Sequence, residues 1–513
     1  MTTMLNLPGI GEIEPSLDAF AQGYNSNKPQ VVWTRLVADL ETPVSAFLKL
    51  ADERPYSFLF ESVEGGAVRG RYSIIGLDPD IIWRANGDNS EIRTSPSEGD
   101  DYMPCEGGTL SALRTLIAES RIDLPEELPP MAAGVFGYMG YDTVRLVEHL
   151  PAENPDPIGV PDAILLRPTI MVIFDAVRDE IIAVTPVRPT SGMTAENAYN
   201  RACERLREAL FRLDSALPHA ARLEHADVPV PEPTSNTAPE DFMAMVKRGK
   251  EYVSAGDVFQ VVLSQRFSAP FTLPPFSLYR ALRRVNPSPF LFFLNLDEFS
   301  VVGSSPEILV RARAGEVTLR PLAGTRPRGQ TRQEDEALAE ELLKDPKERA
   351  EHLMLLDLGR NDVGRVAEIG SVQVTDSFSL EFYSHVMHIV SNVVGKLDPS
   401  HDAIDALTAA FPAGTLSGAP KVRAMEIIDE LEQDKRGIYA GCVGYFSANG
   451  DMDSCIVLRT SIVKDDVMHV QAGAGIVADS VPESEQAECH NKAKALFRAA
   501  EEAVRFATGS NQG

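Results

Sequence analysis

"RPTIMVIFDAVRDEIIAVTPV", residues 167–187, is a strand-like segment, and the way such strands are connected decides between two broad architectures. A doubly wound α/β chain alternates strand and helix in a regular repeat. Here strands and helices are interspersed without one, and several strand pairs look hairpin-connected. The sequence therefore predicts a mixed α+β fold. "YSFLFESVEG" (56–65) is a second strand-like segment, and "ENAYNRACERLREALFRL" (196–213) carries its apolar residues at helical spacing.

Working outward, residues 31–215 read as one region and 216–237 as a linker, because "HADVPVPEPTSNT" (225–237) is rich in Pro, Ser and Thr and has no periodicity. A second region is expected over 238–505, with an N-terminal extension at 1–30 and a tail at 506–513. At 513 residues the chain is too long for one simple core, and 44% hydrophobic content with mixed charge describes a folded protein. A net charge of -27 argues against binding nucleic acid or an anionic membrane through general electrostatics. An acidic chain with an anionic substrate must hold it by local devices: arginines, backbone amides or a bridging cation. The five cysteines show no CxxC or metal-finger spacing, and neither a secretory signal nor a bilayer-length apolar run is visible, so a reducing, cytoplasmic location is expected.

In "PKERAEHLMLLDLGRND" (346–362), Asp345 before Pro346, with Glu348 three residues on, predicts a capped helix start whose capping box Glu348 completes. Glu351 lies one turn further on the same face and is left unexplained by capping. "DSVPESEQAECHNKAKALFRAAEEAV" (479–504) repeats the arrangement: Ser480 and Glu483 form a cap signature, Glu485 and Glu488 stand at i, i+3, and Glu488 precedes Lys492 by four. Two such helices could converge on a hard divalent cation; Mg2+ takes oxygen ligands and is typically completed by an anionic substrate group. In "SHVMHIVSNVVGKL" (384–397) a period of two places Val386, His388, Val390 and Asn392 on one strand face, with His385, Met387 and Ile389 on the other. His388 is then either a hydrogen-bonded core residue or a general base on a rigid element. "RPLAGTRPRG" (320–329), "FPAGTLSGAPKVRAMEIIDELE" (411–432) and "QAGAGIVADS" (471–480) read as Gly-rich turns able to aim N–H groups at a carboxylate. Cys442 in "GIYAGCVGYF" (437–446) is read as a buried strand cysteine.

These segments, together with "SSPEILV" (304–310), "RGIYAGCVGYFS" (436–447) and "VLRTSIV" (457–463), resemble the chorismate-utilising enzymes, whose fold is two-lobed, an antiparallel β sandwich flanked by helices. "FLFESVEGG" (58–66) and "NPSPFLFFL" (286–294) extend the resemblance to the anthranilate synthase component I family. The resemblance implies conversion of chorismate and ammonia to anthranilate and pyruvate, the committed step towards tryptophan. It implies Mg2+ bound by Glu351 and Glu488 with Glu348 and Glu485 in support. It places Gly324, Thr325 and Thr415 around the substrate ring, Tyr439 and Arg459 on the enolpyruvyl carboxylate with the amides of Gly473, Ala474 and Gly475 as neutral donors, and the charge of Lys492 near the metal-bound ring carboxylate. Glu307 would be the general acid and His388 the base, with His352 left as packing. Ser62, Pro289, Phe290 and Leu291 would form a pocket for L-tryptophan as feedback inhibitor. Ammonia would come from a glutamine amidotransferase subunit, component II, in a heterotetramer. Lysines that mark sister activities are replaced by Ala323 and Gln260. Aminodeoxychorismate synthase component I and a noncatalytic tryptophan-binding relative are the competing readings.

Overall fold

The computed structural model describes residues 11–51, 54–64, 68–94, 101–150, 154–217, 230–383 and 386–508. The opening segment forms a hairpin: Ala163–Asp175 pairs antiparallel with Glu180–Val187, closing with Asp175 opposite Glu180. Asp179 turns the chain at φ 52°, a left-handed conformation that Asp tolerates better than most residues.

The architecture depends on two long strands, Val68–Asn86 and Ala163–Asp175, which pair along their length but change register beside the Pro79–Pro168 pair. Proline supplies no N–H to the ladder, so both strands are free to bend there, and Asp78 enters the bend at φ 48°. One half of the pair then belongs to each of two sheets. The first sheet runs through Ser57–Glu64, Phe290–Asn295, Phe299–Ser305, Thr460–Lys464, Val467–Ile476 and Gln260–Pro270. The second runs through Gly134–Met139, Cys442–Ser447, Met452–Ile456, Ile308–Arg313, Glu316–Leu319 and Val386–Lys396. All these pairings are antiparallel, and strands from both sides of the 216–237 segment enter both sheets. Of that segment, 218–229 lie outside the described residues.

Between the sheets lies an aromatic and aliphatic core that includes Trp33, Phe58, Phe136, Phe292 and Tyr445. Phe58 is wholly buried and stacks on Phe136 with ring centroids 4.9 Å apart. Helices close the outer faces. Pro482–Thr508, the longest, buries Cys489, Ala493, Leu496, Ala500, Ala503 and Val504 at helical spacing. No described helix is long and apolar enough to cross a membrane. The mixed α+β expectation holds, but two of the predicted turns do not. Leu322–Pro327 and Gln471–Ile476 are strand, because each finds a partner, Val386–Val390 and Val261–Arg266 respectively, that supplies its backbone with hydrogen bonds.

Replacing Phe58 with Ala removes a ring from between the sheets and is expected to cost about 3–5 kcal/mol, read as a fall in the urea midpoint at unchanged slope.

Candidate active site

The site is assembled by the register of Val386–Lys396 in the second sheet, which pairs with Leu322–Pro327 on one side and Gln373–Phe382 on the other. Leu322–Pro327 pairs with Val386–Lys396 so that Thr325 stands opposite His388, with a bulge at Gly324. Gly324 takes φ 69°, which suits glycine. His388 Nδ1 lies 3.1 Å from the Gly324 carbonyl oxygen and 3.0 Å from the Thr325 hydroxyl. A carbonyl can only accept, so Nδ1 carries the hydrogen and Nε2 keeps its lone pair. Burial pushes the imidazole down to about 4, against the pull of the Gly324 carbonyl, so it is neutral at pH 7. The face predicted for His388 is realised, whereas its predicted opposite neighbour His385 lies outside the described residues.

Glu307 faces the same space. Burial raises its carboxyl to about 8, outweighing the Thr415 hydroxyl 3.2 Å away, the Leu322 amide and the charge of Arg459. It is therefore a protonated acid at neutral pH. Arg459, held at φ 49°, makes no ion pair among the described residues; burial lowers its pKa while Glu307 and Tyr383 oppose that shift. An unneutralised arginine in a half-buried position is suited to an anion. Tyr439 is buried with its phenol pushed up by desolvation, and a methyl group at Gly473 would stand only 3.0 Å from its hydroxyl. The Gly473 carbonyl accepts from Lys492 Nζ at 2.9 Å. In an extended strand a residue's N–H points to the same edge as its C=O, so the Gly473 and Gly475 amides face outward there too, and Ala474 faces the partner strand. A side chain at Gly475 would collide with Gln260, whose Nε2 it would meet at 2.3 Å.

The charge of Glu488 acts on Glu351 across the two helices, and two features depart from the reading of the sequence. Asp345 caps Pro346–Gly364 by accepting from Lys347 and Glu348 amides, but Glu348 does not close a capping box. The Asp345 N–H is already taken by Glu341 at the end of the preceding helix, and the Glu348 carboxylate instead binds Arg326 at 2.9 Å. At the second helix, Ser480 falls short of the start at Pro482; its hydroxyl accepts from Val477 and meets Glu485 rather than Glu483. Glu351 is pushed up by burial first, against a 3.3 Å hydrogen bond from Gln260, and then by the charges of Glu348 and Glu488. Glu485 is raised by burial and by Glu488. Glu488 pairs with Lys492 at 2.7 Å. No group of three or more described acidic, His or Cys residues is clustered as a ready-made cation cage. A pair of carboxylates is nevertheless what Mg2+ uses when substrate and water complete its shell. Glu351 and Glu488 fit that role, and the buried Oε1 of Gln260, whose Nε2 donates to Glu351, has no partner. Glu348 and Glu488 each carry an ion pair, with Arg326 and with Lys492, that a cation would have to share or displace. His352 is packed as expected, its Nε2 2.6 Å from the Ser391 hydroxyl.

Ser62 stands opposite Phe290 in the first sheet. With Leu291, Phe60, Tyr72 and Tyr445 they line a cavity of about 380 Å³; Pro289 is not among its lining residues. Reading the sequence missed Arg326, Glu381 and Tyr383. The period-two pattern of 373–382 against 386–396 was the available signal, since it sets Glu381 opposite His388.

A model of the chorismate binding enzyme family matches residues 70–498. The anthranilate synthase component 1 of Cereibacter sphaeroides is 56% identical over 500 residues, 97% of this chain and 100% of the relative. That of Pseudomonas aeruginosa is 49% identical, covering 90% and 94%. Among solved structures, anthranilate synthase component I of Streptococcus pneumoniae superposes with a TM-score of 0.74 at 37% identity, over 90% of this chain and 99% of that one. The menaquinone-specific isochorismate synthase of Escherichia coli shares the fold, with a TM-score of 0.70 at 18% identity over 94% and 99%.

Nitrogen-15 spectra of histidine-labelled protein are expected to show His388 as the Nδ1–H tautomer, neutral down to about pH 4. A resonance titrating near the ordinary imidazole value would contradict that environment.

Proposed function

The chain belongs to the chorismate-binding enzymes, and on that premise we propose that it is the large subunit of an anthranilate synthase, a lyase that converts chorismate and ammonia to anthranilate and pyruvate. The observation that carries this reading is the pairing, in one buried site, of a carboxylic acid that is protonated at neutral pH with an imidazole that is not. Ammonia adds to the ring carbon beside the carboxylate-bearing one while Glu307 gives its proton to the departing hydroxyl. His388 Nε2 then takes the proton from the aminated carbon, and loss of pyruvate leaves an aromatic ring. Ala323 and Gln260 stand where sister activities use lysines, which favours ammonia over an enzyme amine or an activated water as the nucleophile.

Thr325, Gly324 and Thr415 border the ring. Arg459, Tyr439 and the strand edge at 473–475 receive the enolpyruvyl carboxylate, and Lys492, paired with Glu488, adds positive charge near the metal-bound ring carboxylate. Glu351 and Glu488 hold Mg2+, supported by Glu485 and Glu348. When bound, the cation supplies the positive charge that lets an acidic chain hold the ring carboxylate. Orientation by these groups makes attack by a weak nucleophile effectively intramolecular.

Ammonia is supplied by a glutamine amidotransferase subunit, and the two chains assemble as a heterotetramer. In support, Cys442 is buried on Cys442–Ser447 with its thiol pushed up to about 12 by desolvation, and Cys489 likewise, so neither can serve as a nucleophile for glutamine hydrolysis. L-tryptophan inhibits from the cavity bordered by Ser62, Phe290 and Leu291, with Pro289 at the start of that strand; its aromatic walls suit an indole.

Purified protein mixed with chorismate, Mg2+ and ammonium is expected to produce anthranilate fluorescence. Formation of aminodeoxychorismate instead, or of no product, would overturn the reading. His388→Ala should lower kcat by roughly 10²–10⁴-fold and accumulate the aminated intermediate. Glu307→Gln should slow its formation instead. In the wild-type protein kcat/KM should fall as pH rises through about 8, where Glu307 loses its proton, and Glu307→Gln should lack that limb. Calorimetric titration with tryptophan should give heat that Ser62→Phe removes.

A further inference from the structure

We infer that Tyr383 and Glu381 act as a positioning pair that sets the orientation and basicity of His388, an assignment that rests on His388 being the base proposed above. Glu381 stands directly across the strand pair from His388. Tyr383, buried at the end of the same strand, packs its ring edge-on to the imidazole, with centroids 5.5 Å apart and planes at 64°. Its hydroxyl donates to Glu381 Oε2 at 2.8 Å, and Arg320 binds the other carboxylate oxygen. The Tyr383 backbone is fixed independently: its N–H donates to the Val386 carbonyl at 2.8 Å, and its carbonyl accepts from Arg328 at 2.6 Å.

This arrangement does two things to the imidazole. The Tyr383 ring edge and the Gly324 carbonyl grip it from different sides, so its plane is set while Nε2 stays free. The Glu381 charge favours the imidazolium, and Arg459 disfavours it. The Gly324 carbonyl and the Thr325 hydroxyl also face His388 and are neutral, and Glu307, in the same space, is protonated until about pH 8. Tyr383 and Arg320 each take one oxygen of Glu381, which spreads its charge over two donors instead of leaving it free to act on His388. The pair therefore moderates a carboxylate whose full charge would raise the imidazole and whose loss would lower it. The Tyr383 phenol, raised by burial and then by Glu381, remains a neutral donor throughout the working range.

The two conservative variants then have opposite effects. Tyr383→Phe keeps the ring edge but frees one oxygen of Glu381, and the His388 titration should move up by roughly one pH unit. Glu381→Gln keeps a hydrogen-bond acceptor for the phenol but removes the charge, and the titration should move down. Both are read from the labelled-histidine spectra and from the acid limb of the rate at which the aminated intermediate decays. Decay should quicken in Tyr383→Phe, whose imidazole is the stronger base yet still neutral at pH 7, and slow in Glu381→Gln, while the KM for chorismate and the rate of intermediate formation stay within twofold. Shifts of the same sign, or no shift, would overturn the inference, as would an equal loss in both chemical stages. A normal rate in His388→Ala would instead remove the reading on which it rests.

Discussion

Two helices that start at Pro346 and Pro482 bring carboxylates together in a place where like charges repel. Glu351 is largely removed from water, and the charge of Glu488 adds to burial in disfavouring its ionised form. Left alone this arrangement opposes folding, because charges interact more strongly where the dielectric is low. It persists because each helix is anchored elsewhere: Leu355, Leu356 and Val363 are buried on one, and Cys489, Ala493, Leu496 and Ala500 on the other. Apolar burial along the helices holds the acidic ends in register. The repulsion is then available to be relieved by a cation, and through it by an anionic substrate.

The sandwich explains how such distant residues meet. The bend at Pro79 and Pro168 divides one strand pair between two sheets. One sheet ends on Gln260–Pro270 and Val467–Ile476, which carry Gln260 and the glycine edge. The other runs through Val386–Lys396, which carries His388, to Gln373–Phe382. Glu307 connects them, placed between Phe299–Ser305 of the first sheet and Ile308–Arg313 of the second, beside Arg459, which precedes Thr460–Lys464. The acid is dry and the base is dry for the same reason, and drying moves their pKa values in opposite directions. One environment thus keeps a proton on the carboxyl and off the imidazole.

Much of this was legible in the sequence, for physical reasons that differ by residue. The 386–396 strand follows from period-two patterning, which local geometry enforces, whereas 167–187 reads as strand from near-continuous apolar, β-branched runs. The start of Pro346–Gly364 follows from Asp345 and Pro346, whose capping chemistry is local. The role of Glu348 was not legible, because Arg326 is more than twenty positions away and reaches it only once Leu322–Pro327 has paired. Ser480 looked like a cap from spacing alone, yet its hydroxyl accepts from the Val477 N–H and donates to the Glu485 carboxylate. The glycines at 473 and 475 suggested a turn, whereas contact with Tyr439 and Gln260 is what excludes a side chain there. Tyr383 and Glu381 gave no motif at all, since their relation to His388 is one of cross-strand register.

The central claim, that the converging carboxylates are held apart from their preferred state until a cation joins them, is tested most directly by the melting temperature of the substrate-free protein with and without Mg2+, compared with that of Glu351→Gln. The account expects Mg2+ to raise the Tm of the wild-type protein and leave that of Glu351→Gln unchanged, with the variant the more stable of the two when Mg2+ is absent. An equal rise in both proteins, or a variant less stable than the wild type without Mg2+, would contradict it.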